Sequence, residues 1–165
     1  MKFSDFILEK AVVTDFKATD KTDAVVKMVQ ALAAAGGIPQ DETETVSQAI
    51  LSREECGSTG LGGRVAVPHT KHQSVEKPVG LVAICPNDGV PFDALDGENV
   101  NIFFLLISPP DLPGDHLRAL EYITRQIKVE GLVKLLMQAR TPEDAIQILK
   151  DSEAETGAAN KDGDA

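Results

Sequence analysis

Val100-Asn101-Ile102-Phe103-Phe104-Leu105-Leu106-Ile107-Ser108 is the most hydrophobic run of this 165-residue chain. Its apolar residues do not alternate with polar ones, so both faces of the strand they form need cover. Such a strand lies in the middle of a sheet. Pro109-Pro110 stops it, and Asp96-Gly97 marks a turn before it. Outward from there, residues 79–85 form a second continuous apolar run, closed by Pro86-Asn87-Asp88-Gly89. Residues 90–92 read as a short edge strand, and 64–67 and 11–16 as short β-branched strands.

Helical spacing fills the remainder. Asp20 or Thr22 caps a helix to about residue 35, with Val25, Met28, Val29 and Leu32 on one face and Gly36-Gly37 ending it. A second helix covers 42–55, burying Val46, Ala49 and Ile50. Asp115 is placed to cap a helix through about 128, with Leu117, Leu120, Ile123 and Ile127 as its stripe. Another follows at 129–139. Thr141-Pro142-Glu143-Asp144 opens the last one, with a cap, a proline at the first helical position and acids in the first turn. Residues 69–78 carry no periodicity and read as a loop. The polar, glycine-bearing stretch 153–165 predicts a disordered tail, which leaves 1–152 as a single domain. This order of elements argues an α/β fold, a mixed sheet with helices on both faces.

Composition narrows the partners. The net charge is −10, which disfavours nucleic acid and suits a basic protein partner. Aromatic content is 4% with no Trp, so the core is built from aliphatic side chains. No stretch approaches the roughly 20 apolar residues of a membrane span, and the first eleven residues do not read as a secretory leader. Cys56 and Cys85 lack zinc-type spacing. The expectation is a cytoplasmic protein with reduced thiols, Cys85 packed in the core and no membrane insertion.

The chemistry gathers where Gly57-Ser58-Thr59-Gly60-Leu61-Gly62-Gly63 leads into Arg64-Val65-Ala66-Val67-Pro68-His69. A histidine directly after a buried strand is held stiffly yet open to solvent, and a small-residue loop offers backbone N–H groups to an oxyanion. The pairing points to His69 as the carrier of a phosphoryl group. His116 lies in the first turn of the helix after the central strand, and two strand ends of one sheet bring such residues to a common rim. Arg53, at the end of the second helix, can neutralise phosphate charge, and the Thr59 hydroxyl can bond a phosphate oxygen. His69 and His72 make an H-x-x-H spacing, but it begins a loop with no acid or thiol at ligand spacing, so no metal is expected. No lysine follows the glycines as in a nucleotide P-loop, and no G-x-S-x-G elbow is present.

The stretch from Arg53-Glu54 through Thr59-Gly60-Leu61-Gly62 to Pro68-His69 resembles the signature of enzyme IIA domains of the mannitol/fructose type, from the bacterial phosphoenolpyruvate-dependent phosphotransferase system. Phe92-Asp93-Ala94-Leu95-Asp96-Gly97, the strand after it, Pro109 and His116-Leu117 are similar to the second half of the same family. The resemblance covers about residues 3–150. It implies a three-layer α/β/α sandwich with a central mixed sheet. It implies that His69 accepts phosphate, through Nε2, from the phosphohistidine of an HPr-type carrier. His116 then corresponds to a second active-site histidine and Arg53 to an active-site arginine, with Thr59, Gly60 and Gly62 at the phosphate and no cofactor. The downstream partner is a IIB protein or a regulatory target. The stand-alone form and the 92–97 stretch resemble the nitrogen-regulatory subgroup, with a fructose-type sugar relay as the alternative. Thr70, where the family commonly has glycine, and Cys56 and His72 depart from the pattern.

Overall fold

The computed structural model describes residues 1–163, and the side chains of 1–156. The chain order is β1 (Ile7–Val13), α1 (Lys21–Ala34), α2 (Thr43–Glu55), β2 (Gly60–Gly62), β3 (Val65–Ala66), β4 (His69–Lys71), β5 (Val79–Ile84), β6 (Ile102–Ser108), α3 (Pro113–Ile127), α4 (Leu132–Gln138) and α5 (Pro142–Gly163). The strands form one sheet in the order β1-β5-β6-β3-β2, with β4 also pairing β6. β1 runs parallel to β5, and β3 and β4 run parallel to β6; β5 is antiparallel to β6, and β2 to β3. The sheet is therefore mixed, and it is the middle layer of an α/β/α sandwich.

β6 is central, as its unbroken apolarity requires, and every residue in it is buried. Its side chains alternate between two cores. Phe103, Leu105 and Ile107 join Val25, Met28, Leu32, Val46 and Ile50 of α1 and α2. Ile102, Phe104 and Leu106 join Ala119, Tyr122, Leu136 and Leu149 of α3, α4 and α5. Burial of some forty apolar side chains, of which each fully buried Val, Leu, Ile, Phe or Met contributes about 1.5–3 kcal/mol, opposes the entropy of ordering the chain. Cys85 is buried and Cys56 exposed, both as free thiols. Among the described residues no helix is long and apolar enough to cross a membrane.

Several local expectations need correction. β1 begins at Ile7 rather than residue 11: Glu9 and Lys10 are both exposed where an edge strand shifts register between Ile7 and Val12. Residues 69–71 are not loop: their backbone pairs with Leu106, Ile107 and Ser108 of β6. α3 starts at Pro113, not at a cap on Asp115, since proline suits the first helical turn. Its buried face is His116, Ala119, Tyr122, Ile123 and Gln126, which leaves Leu117 of the expected stripe 56% exposed. α4 begins at Leu132, after Gly131 takes a positive φ of 86°. The tail expected to be disordered from Glu153 begins inside α5. There Glu153 accepts from the Ser4 backbone N–H, and Thr156 accepts from Gln126. Residues 164 and 165 of that tail lie outside the described residues.

Candidate functional site

Sheet register brings the two histidines together. His69 pairs with Leu106 in parallel strands, so both side chains stand on the same face of the sheet. That face belongs to the core under α3, and Ser108 stands on it two residues beyond Leu106. α3 packs there and carries His116 in its first turn. The rings of His69 and His116 lie with centroids 5.5 Å apart, tilted by 51°.

Each ring is fixed through Nδ1. His69 Nδ1 lies 2.7 Å from the carbonyl oxygen of Val67, two residues earlier. A carbonyl only accepts, so Nδ1 carries the proton and Nε2 is left with its lone pair. His116 Nδ1 lies 2.6 Å from the hydroxyl of Ser108. His116 is buried and His69 half-buried. Burial lowers the pKa of His69 below its ordinary 6.5. The Val67 carbonyl and the Glu54 carboxylate oppose that shift, and the Arg53 charge adds to it. His116 is lowered to about 4, by burial first and then by the charges of His69 and Lys71. Both rings are neutral at pH 7, and the half-buried one presents a free nucleophilic nitrogen.

The glycine loop is built differently from the sequence expectation. Gly60 lies so close to residue 94 that a Cβ on it would come 2.8 Å from the Ala94 Cα. Gly62 takes a φ of +87°, which turns the chain back from β2 into β3. Two of the loop residues expected to reach a phosphate, Thr59 and Gly60, have their donors engaged inside the protein. Thr59 is buried, and its backbone N–H and its hydroxyl both donate to the Glu54 carboxylate. The Gly60 N–H donates to Ser58 Oγ, and the Gly63 N–H to Asp96. Arg53 is exposed and donates to the Gly57 carbonyl at 3.0 Å, which leaves most of its guanidinium available.

Glu54 holds this arrangement together, and the sequence reading assigned it no role. Its carboxylate is buried and also pairs with Lys21 Nζ at 3.1 Å. Lys21 reaches Asp93 at 3.4 Å and lies over the Phe92 ring. One buried carboxylate thus ties the start of α1, the end of α2, the glycine loop and the segment at 92–93. An acid next to an arginine at a helix end, five residues before a threonine, is the signal that points to it. Ser108 was also passed over, although it is the only polar residue in Ile102–Ser108 and ends the central strand.

Other candidates fall away from the site. His72 turns from His69, its Nδ1 accepting from the Ser74 N–H at 3.1 Å. Thr70 pairs with Ile107 and so stands on the opposite sheet face from His69. Cys56 caps the end of α2 at the surface. Among the described residues no group of three or more His, Cys, Asp or Glu is placed to hold a metal ion.

Comparisons with known proteins identify the family and the fold. Residues 5–152 match the family described as phosphoenolpyruvate-dependent sugar phosphotransferase system, EIIA 2. A nitrogen regulatory protein of Bradyrhizobium diazoefficiens is 31% identical over 149 residues, 90% of this chain and 95% of that protein. The crystal structure of the nitrogen regulatory protein IIA-Ntr from Neisseria meningitidis superposes with a TM-score of 0.79 at 26% identity, over 89% of this chain and 98% of that one. The complex of mannitol enzyme IIA with phosphorylated mannitol enzyme IIB from Escherichia coli gives 0.71 at 19% identity, over 86% of this chain and 95% of that one, a likeness of fold alone.

Proposed function

This chain belongs to the EIIA 2 family of the phosphoenolpyruvate-dependent sugar phosphotransferase system, and on that premise we propose that it carries a phosphoryl group on His69 Nε2, taken from the phosphohistidine of an HPr-type carrier. The observation that supports this most is the pinned ring. Val67 holds the proton on Nδ1, so Nε2 keeps its lone pair at neutral pH.

The step balances without a cofactor. His69 Nε2 forms a bond to phosphorus while the donor's N–P bond breaks, and that electron pair returns to the donor ring. The His69 ring gains positive character as it attacks, and the field of buried Glu54 favours that charge. Arg53 opposes a charge on the ring but attracts the phosphoryl oxygens, so it favours the loaded state. His116, neutral and 5.5 Å away ring to ring, supplies a hydrogen bond to the group in transit. Thr59 and Gly60 serve by shaping the loop beside the site, with their donors held by Glu54 and Ser58. Gly62 serves through its turn. Barrier lowering comes mostly from positioning, because the phosphoryl group keeps its transfer potential from nitrogen to nitrogen.

The output is regulatory, with His69 phosphorylation biasing contact with a target protein. The relatives named nitrogen regulatory proteins support this reading over a sugar relay. Exposed Leu117, which follows His116 on α3, offers an apolar contact for donor and target alike. The test is intact-protein mass after incubation with phosphoenolpyruvate, enzyme I and HPr. One acid-labile phosphoryl group is expected, and none in the His69→Ala variant; uptake retained in that variant would falsify the assignment.

A further inference from the structure

We propose that Ser108 is a positioning residue for phosphoryl transfer: its buried hydroxyl donates to His116 Nδ1 and so fixes the His116 proton on Nε2, in a ring whose centroid lies 5.5 Å from that of His69. The inference rests on the reading of His69 as the phosphoryl carrier, and it assigns a role to a residue at the end of the central strand that touches neither the phosphoryl group nor the donor.

The argument is one of hydrogen-bond accounting. Ser108 is fully buried in β6. Its hydroxyl has one partner among the described residues, His116 Nδ1 at 2.6 Å. Were Nδ1 to donate to the Ser108 oxygen, the hydroxyl hydrogen would be left with no acceptor in a dry interior. An unsatisfied buried donor costs the full desolvation of that group, whereas an unused lone pair on a hydroxyl oxygen costs less. The favourable arrangement is therefore Ser108 O–H donating to Nδ1. A neutral imidazole holds one proton, so with Nδ1 accepting, Nε2 carries it. His116 is neutral, since burial first and then the Lys71 charge keep its pKa well below working pH.

The two histidines then have opposite tautomers, and the sheet sets both. A backbone carbonyl, able only to accept, faces Nδ1 of His69 and leaves Nε2 as a nucleophile. A side-chain hydroxyl, able to donate, faces Nδ1 of His116 and leaves Nε2 as a donor. A phosphoryl group on His69 needs donors as charge gathers on its oxygens, and the loop donors at Thr59 and Gly60 are already engaged. His116 is thus the nearby ring whose donor remains to be spent, and Ser108 decides which nitrogen carries it. Alanine at 108 would keep the strand but lose this assignment, whereas the larger valine or leucine would be driven against the His116 ring.

The test starts on the resting protein, with long-range proton–nitrogen NMR of the imidazole rings. His116 is expected to show a protonated Nε2 and a bare Nδ1, and His69 the reverse. A His116 ring protonated at Nδ1 overturns the proposal, whatever His69 does with phosphate. The second measurement is the rate of phosphoryl uptake. Ser108→Ala is expected to slow uptake roughly tenfold, as loss of a group that orients a reacting side chain does, with the final extent of loading unchanged. Ser108→Thr, which keeps the hydroxyl, is expected to recover most of the rate. Uptake at the unsubstituted rate in Ser108→Ala, with the His69 ring signals unmoved, overturns the positioning role. No uptake in the unsubstituted protein overturns the phosphocarrier reading itself, and the catalytic use of Ser108 with it, while the ring spectra still report the tautomer.

Discussion

A single imidazole proton decides much of what this site does. Burial makes the charged forms of His69 and His116 costly; the Val67 carbonyl and Glu54 offset part of this at His69, while at His116 neighbouring charges add to it and lower its pKa to about 4. The linkage to stability has a definite sign. In the unfolded chain His116 titrates near its ordinary 6.5, so between 6.5 and about 4 the unfolded state binds the proton that the native state refuses. The stabilisation is full above 6.5 and falls as the pH drops towards 4, by an amount on the order of 2 kcal/mol. Denaturant titrations at a series of pH values check this, with His116→Gln expected to flatten that acid limb; an unchanged limb would place the titrating group elsewhere. His69 shares the direction, so phosphoryl uptake should hold its rate from pH 8 down to below pH 6.5 and decline only under the lowered pKa. A rate–pH profile of first-order uptake reads that directly.

At the scale of elements, the glycine loop depends on a salt bridge that joins two helices. Glu54 at the end of α2 is buried and satisfied by Thr59 and by Lys21 at the start of α1. Removing one partner leaves the other charge buried and uncompensated. Lys21→Met is expected to cost about 2–3 kcal/mol in a denaturant midpoint, reduced from the deepest cases because Lys21 is 19% exposed. Glu54→Gln should cost less, because Gln keeps an acceptor for Thr59 and removes the buried charge; the reverse order of the two effects would show that the bridge is not the loop's main anchor. The same elements show what a sequence can carry. β6 was legible because nine successive residues left no polar face. α1 was legible because Asp20 accepts from the Asp23 N–H just ahead of a regular apolar stripe. β4 was not, since His69-Thr70-Lys71 has no side-chain pattern and is a strand only through backbone bonds to β6. His69 could be named as a site candidate from its place after a buried strand, while His116 and Arg53 took most of their weight from the family resemblance. Glu54 and Ser108 were missed because their roles are set by burial and by partners distant in sequence, and a local pattern does not encode either.

The whole molecule closes around its last helix, and this sets how much of the carboxyl-terminal segment it needs. Gln126 of α3 is fully buried, and among the described residues its side-chain amide is satisfied from α5: Ser152 donates to its oxygen and its nitrogen donates to Thr156. Glu153 reaches across to the backbone of Ser4 at the amino terminus. α5 therefore fastens the amino terminus and α3 at once, on the sheet face that carries the site. A chain ended after Asp151 keeps the family's core stretch almost whole yet leaves both ends of the Gln126 amide unpaired in the interior. An unsatisfied buried polar group costs about 1–3 kcal/mol, so that truncation is expected to lower the melting temperature by several degrees for a domain of this size. Gln126→Leu in the truncated chain should recover part of the loss, because the orphaned amide is gone and the space stays filled. Recovery in the truncated chain, set beside destabilisation by the same substitution in the full chain, is a double-mutant cycle that isolates the coupling. If the two substitutions add without coupling, the hydrogen bonds from α5 are not what holds it, and the apolar contacts of Ala145 and Leu149 carry the helix alone.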